Sequence, residues 1–231
     1  MRAEFMKVLA MDTTGEPVSC ALADARHLIG ELYLHVRQKH SVTLMPAVDD
    51  ILKLAGIEAS DLDAIGVVRG PGSFTGVRIG VATAAGMAYG LGIPVWSVST
   101  LDALIAGTHD RAAVCALLDA RREEVYAKAV SGEEVLVEEE AGPLADVLEA
   151  VRDIPHMLFT GDGAVRYREE IRNAMPDARF MPEELSRCRA SFVFSAIARG
   201  LAVKETFDTL EAVYIRPSQA ERVHGSPDTC P

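Results

Sequence analysis

The stretch VVRGPGSFTGVRIG, Val67 to Gly80, constrains this chain more than any other. Two valines close an apolar run that reads as a buried strand. Gly70, Pro71 and Gly72 force a tight turn, and a run of small residues then begins a helix. Ser73 or Thr75 can cap that helix, because a short side-chain oxygen accepts an otherwise unpaired first-turn amide. A strand, a Gly-rich turn and a helix N-terminus together form a possible anion cradle, since free N–H groups and the helix dipole point the same way. The alternative is a plain strand-to-helix turn. The spacing matches neither a Walker A loop nor GxGxxG.

The 231 residues suffice for one large domain or two small ones, and 49% are hydrophobic, enough for a substantial core. A formal net charge of −11 argues against unaided nucleic-acid binding, because phosphates would be repelled. Cys20, Cys115, Cys188 and Cys230 are widely spaced and form no CxxC, which indicates neither a zinc site nor a disulfide framework. Reduced thiols and an N-terminus without an apolar signal core point to the cytoplasm. Ile79 to Leu101 carries no charge, but its glycines, Pro94 and hydroxyls favour a buried helix, turn and strand over a membrane span.

The order of elements is legible. Val8–Met11, Val18–Ala23 and Leu28–Val36 read as an antiparallel meander. Ser41–Leu54 reads as an amphipathic helix in which Pro46 belongs to the first turn, making Thr43 a better cap than Ser41, and Gly56 ends it. Ala64–Val68 is the next strand. The helix from Gly76 to about Tyr89 and a strand at Pro94–Ser97 follow. A second cycle begins with strands at Val114–Leu118, ending at Asp119, and Val125–Val130. MDTTGEPVSCALA and LDARREEVYAKAV share the order strand, Asp, polar turn, strand, which suggests a duplicated fold. Later elements are helices at Leu144–Val151, Ala164–Ala174 and Ser191–Lys204, a strand at Met157–Thr160, and TGDG at Thr160–Gly163. Glu138–Glu140 reads as a solvated strand end, and Arg121 to Glu124 as a solvated turn.

LAMDTTGEPVSCAL, KHSVTLMPAVDDILKLAGI, the long segment around GPGSFTGVRIG, LLDARREEVYA and, more weakly, AVYIRPSQA resemble the TsaB (YeaZ-like) family of tRNA threonylcarbamoyladenosine biosynthesis proteins. The resemblance is close in the first half and looser in the second. It implies an α/β fold of two ribonuclease-H-like lobes in the actin, sugar kinase and Hsp70 (ASKHA) superfamily, with mixed sheets flanked by helices. The lobes would span residues 1–103 and 104–216, with helix 191–204 packing back and 217–231 a flexible tail.

The resemblance also implies a non-catalytic paralogue of the transferase TsaD. The superfamily's phosphate hairpin would fall on Asp12, Thr13, Thr14 and Gly15, and the nucleotide-binding candidates are Asp12, Thr13, Thr14, Gly72, Ser73 and Asp119. These residues form at most a vestigial nucleotide site, and the preferred reading is that they satisfy turn backbone groups. TsaD carries a His-x-x-x-His metal pair where this chain reads Val98 to Leu104, so no metal site of that kind is expected. No cofactor is expected, beyond weak ATP or ADP binding inside a complex.

Function would then lie in surfaces. Gly76, Gly80, Ala84 and Ala88 form one small-residue stripe, and Ala82, Gly86 and Gly90 another. The expected partner-binding residues are Thr43, Leu44, Met45, Val48 and Leu52 on the first helix. On the second they are Phe74, Gly76, Arg78, Ile79, Ala82, Gly86 and Tyr89. The implied partners are a TsaD-like transferase and a TsaE-like ATPase, with a homodimer when alone, tRNA only through the complex, and no membrane. Two other classes stand as alternatives: a small ASKHA-type ATPase or phosphotransferase, and a glycoprotease-like peptidase, for which no nucleophile or metal motif stands out.

Overall fold

The structure is a computed structural model that describes residues 6–36, 39–110, 112–121 and 123–215. Two sheets repeat one plan. In the first, β1 (Val8–Asp12) pairs antiparallel with β2 (Val18–Ala23), which pairs antiparallel with β3 (Leu28–Leu34). On its other side β1 pairs parallel with β4 (Ala64–Val68), and β4 pairs parallel with β5 (Val95–Val98). In the second, β6 (Ala113–Asp119), β7 (Glu124–Ser131) and β8 (Glu134–Pro143) form the meander. There β6 pairs parallel with β9 (Leu158–Thr160), which pairs parallel with β10 (Arg179–Phe180). Spatial orders β5-β4-β1-β2-β3 and β10-β9-β6-β7-β8 are the same. This is a pair of ribonuclease-H-like lobes, the ASKHA architecture, and the weak internal repeat was its trace in sequence.

Helices follow from buried stripes. α1 (His40–Ala55) lays Leu44, Ala47, Val48, Ile51 and Leu52 on the first sheet. α2 (Phe74–Leu91) lays Gly76, Val77, Gly80, Ala84 and Ala88 beside it. α3 (Thr100–Gly107), nearly all buried, leads into the second lobe. There α4 (Leu144–Val151), α5 (Asp162–Arg166) and α6 (Arg168–Ala174) pack on a core around Phe159, Met157 and Ile171. α7 (Phe192–Ala198) then returns to pack on α3, β4 and β5. β11 (Val203–Glu205) adds an antiparallel edge to the first sheet at β5. The approach is close: a Cβ on Gly66 would sit 2.9 Å from Val193 and 3.0 Å from Ala10.

Several expectations change. α1 starts at His40, so Pro46 lies in its interior and Thr43 is not the cap. Thr43 Oγ1 instead donates to Lys39 O. The carbonyl that Pro46 leaves unbonded belongs to Val42, on the exposed side of the helix, where water can satisfy it. The helix expected over Ser191–Lys204 stops at Ala198, because Gly200 turns the chain at φ 72° into β11. Ala164–Ala174 is two short helices broken at Tyr167. Glu138–Glu140 lies inside β8, and Glu139 is half-buried. No helix among the described residues is long and apolar enough to cross a membrane. The expected tail, Arg122 and the end of AVYIRPSQA lie outside the described residues.

Candidate functional site

The cradle is filled by the chain itself. Ser73 caps α2 by accepting from Gly76 N at 3.3 Å. Ser73 N donates to Thr14 O at 2.7 Å, and Thr13 Oγ1 donates to Gly76 O at 2.7 Å. A Cβ on Gly76 would enter the van der Waals shell of the Thr13 carbonyl oxygen, and one on Gly80 would lie 2.5 Å from Thr13 Oγ1. The first stripe of small residues therefore lets the β1–β2 hairpin press on the helix. On the other side of the turn, Thr100 Oγ1 donates to Pro71 O at 2.6 Å.

Asp12 is 2% exposed. Its Oδ1 accepts from Thr14 N at 2.8 Å and Thr14 Oγ1 at 2.7 Å. Burial pushes its carboxyl up, against the bonds from Thr14 and from the Cys188 thiol. The same burial, with Asp12 beside it, raises the Cys188 thiol. Asp119 occupies the matching strand end of the second lobe. It accepts from Arg121 N at 2.9 Å, Arg166 Nη1 at 2.8 Å and Tyr167 OH at 3.3 Å. Asp162 of TGDG accepts from Asp119 N at 3.1 Å, and burial raises its carboxyl. Segment 182–191 runs between these ends. Cys188 meets Asp12, Ala190 N donates to Ser19 Oγ at 2.8 Å, and Ser191 N donates to Glu31 Oε1 at 3.1 Å. Arg189 stacks over Tyr33 at 4.3 Å.

A second polar group joins the lobes behind the sheet. Lys128 Nζ donates to Asp102 Oδ1 at 2.6 Å, both side chains being 15% exposed. Glu139 reaches Ser99 and faces Asp102, Lys128 and Arg69, and burial raises its carboxyl. Arg69 pairs with Glu205 at 3.5 Å, and Glu205 accepts from Ser97 Oγ.

The outer face of α1 and α2 mixes exposed apolar groups with charges, Asp49, Asp50 and Lys53 on α1 and Arg78 on α2. Val42 (59%), Met45 (48%) and Tyr89 (69%) are exposed, as is Ala82, and a Cβ on Gly86 or Gly90 would meet nothing within 4 Å. Phe74 packs at a tilt against Tyr214 with ring centroids 5.2 Å apart, and Tyr89 meets Phe207 edge to face at 4.9 Å. Leu44, Val48, Leu52 and Gly76, expected at a partner surface, are buried under their own helices, because the stripe that faces the sheet is the more apolar one. Thr43 and Ile79 are half-buried, while Arg78 is exposed.

A family model described as tRNA N6-adenosine threonylcarbamoyltransferase (TsaD) matches residues 34–219. A Bacillus subtilis (strain 168) relative, tRNA threonylcarbamoyladenosine biosynthesis protein TsaB, is 34% identical over 182 residues, 76% of this chain and 80% of the relative. The chain belongs to the TsaB (YeaZ-like) family. The TsaB of Escherichia coli (strain K12) is 40% identical over 124 residues, and the match spans about half of each protein (52% and 53%). A Pseudomonas aeruginosa crystal structure, described as an uncharacterized protein with similarity to peptidase YeaZ, is 31% identical with a TM-score of 0.75. It covers 91% of this chain and 100% of the other. A Thermus thermophilus ROK hexokinase, 13% identical at a TM-score of 0.50 over 84% of this chain and 100% of the other, shares the fold alone.

Within this TsaB-family chain, the structure brings Asp12, Thr13, Thr14, Gly72 and Ser73 together, and leaves Asp119 to its own arginine and tyrosine. Sequence reasoning missed Cys188 against Asp12 and the Asp102–Lys128 pair. Both pairs lie far apart in the chain and match no motif.

Proposed function

We propose that this chain is a partner subunit in threonylcarbamoyladenosine formation on tRNA. It binds a TsaD-like transferase that moves the threonylcarbamoyl group to N6 of adenosine 37 in ANN-decoding tRNAs, and it helps recruit a TsaE-like ATPase. The observation that carries this reading is the cluster of exposed apolar and small residues on α1 and α2 in a chain of this family. Met45, Ala82, Gly86 and Tyr89 are its centre, and small residues there let a partner helix approach closely. The sequence supports an accessory role, since no histidine lies between Val98 and Leu104. The superfamily's phosphate hairpin is also occupied by its own Thr13 and Thr14 contacts.

The test is association with a purified TsaD-like subunit. Gly86→Arg and Met45→Glu should each keep wild-type circular dichroism and lose binding. Asp153→Lys, at a side chain 96% exposed on the second lobe, should bind normally. Folded Gly86→Arg and Met45→Glu variants that both bind like wild type would end the proposal. The ATPase reading is separated by titrating the isolated chain with ATP and Mg²⁺, where micromolar binding with turnover would favour it.

A further inference from the structure

The tyrosine of AVYIRPSQA, Tyr214, is tied to the face of α2. The last described segment, 206–215, crosses α2. Val213 N donates to Arg69 O at 2.7 Å, and Leu210 enters the first core. At the N-terminal end of α2, Arg78 Nε donates to Tyr214 OH at 3.0 Å. The Arg78 guanidinium lies 3.8 Å from the Phe74 ring centroid and 5.8 Å from that of Tyr214. Phe74 is 40% and Tyr214 41% exposed. An exposed arginine ordinarily samples many rotamers. Here a hydrogen bond and two ring faces hold it, and nothing among the described residues pairs with its two terminal nitrogens.

We propose that this clasp is the electrostatic anchor of the partner-binding face: Arg78, held in place by Tyr214 and Phe74, receives a carboxylate of the TsaD-like subunit. The inference rests on the reading of the α1–α2 face given above. Charge complementarity points to the occupant. A fixed guanidinium beside exposed apolar groups selects an acidic group, and the occupant is the one the α1–α2 reading already gives, the TsaD-like subunit. Pre-ordering lowers the entropy lost on docking, and arginine set among aromatic rings is the composition typical of binding hot spots. Tyr214 is a positioning residue; Arg78 makes the contact.

The experiment measures affinity of a purified TsaD-like subunit for wild type, Arg78→Gln, Tyr214→Ala, Tyr214→Phe and Gly86→Arg, at low and high NaCl. Arg78→Gln and Tyr214→Ala should weaken binding by about tenfold or more. Arg78→Gln should also flatten the salt dependence, a change that loss of packing alone would not produce. Tyr214→Phe keeps the ring and should recover most of the affinity. Arg78 is exposed, so Arg78→Gln reports even if Tyr214→Ala fails to fold. If Gly86→Arg abolishes binding while Arg78→Gln binds like wild type, or binds weakly with an unchanged salt slope, the carboxylate anchor is wrong and the interface stands. If folded Gly86→Arg binds normally, the interface itself is wrong.

Discussion

Replacing Lys128 with methionine tests what joins the lobes. Lys128 donates to Asp102 at 2.6 Å, with both side chains 15% exposed. Glu139 faces the same lysine. Removing the ammonium leaves two carboxylates in a mostly dry junction. Breaking a fully buried pair costs about 3–5 kcal/mol, and the residual exposure places this one near 3 kcal/mol. For a chain of this size that corresponds to a Tm fall of roughly 6–12 °C. Differential scanning calorimetry at pH 7 reads it. The Lys128→Met, Asp102→Leu double variant should recover most of the loss, because an apolar pair of similar volume replaces both charges. The deficit should also shrink toward pH 4. Burial raises the Glu139 carboxyl above its ordinary value of 4.5, so its favourable contribution is present below that value and is lost as pH rises through the folded pKa. A Lys128→Met protein as stable as wild type at pH 7, or a double variant no better than the single, would refute this account.

Gly76→Ala should destabilise by about 3 kcal/mol, the top of the range for overpacking, because its methyl would enter the Thr13 carbonyl. Gly86→Ala meets open space and should stabilise by about 0.5–1 kcal/mol; urea denaturation of both compares them. Asp12→Asn should gain on wild type as pH rises from 4 to 7 in the same assay. Burial holds the wild-type carboxyl above 3.8, and its ionisation is what costs stability over that window. In a Cys230→Ser background, the native protein should be nearly inert to a thiol reagent at pH 8 and release three thiols when denatured. Burial pushes Cys20 up to about 12 and raises Cys115 and Cys188 as well.

α1, β4, α2 and β5 were legible because each carries an apolar run with glycine or proline at an end, and β1 to β3 because short polar turns separate their apolar runs. The two Asp-ended hairpins were enough to suggest the duplication. What was not legible depends on distance. Nothing near Glu139 shows that β8 runs past Ser99 and Asp102, so EEE reads as a solvated run although its middle residue is half-buried. Pro46 reads as a helix start because local rules place proline in the first turn, yet Thr43 and the packing of Leu44 extend the helix backwards. β11 has three residues and no period of its own; its pairing with β5 makes it a strand. On α2, helical spacing identified two small-residue stripes but did not say which one met the sheet.

The return of α7 and β11 to the first sheet sets an order of assembly. Ala10, Ala21, Val68 and Val98 are buried on a sheet face covered by α3 together with Val193 and Ala196 of α7. During synthesis the ribosome delivers that face, then an entire second lobe, and only afterwards the helix that completes the cover. A nascent chain halted near residue 180 would hold a finished second core beside a half-clad first one, with β5 as a bare edge. Quality control in the cell would therefore meet this protein as one cooperative unit. Chains cut before α7 would leave that apolar face uncovered.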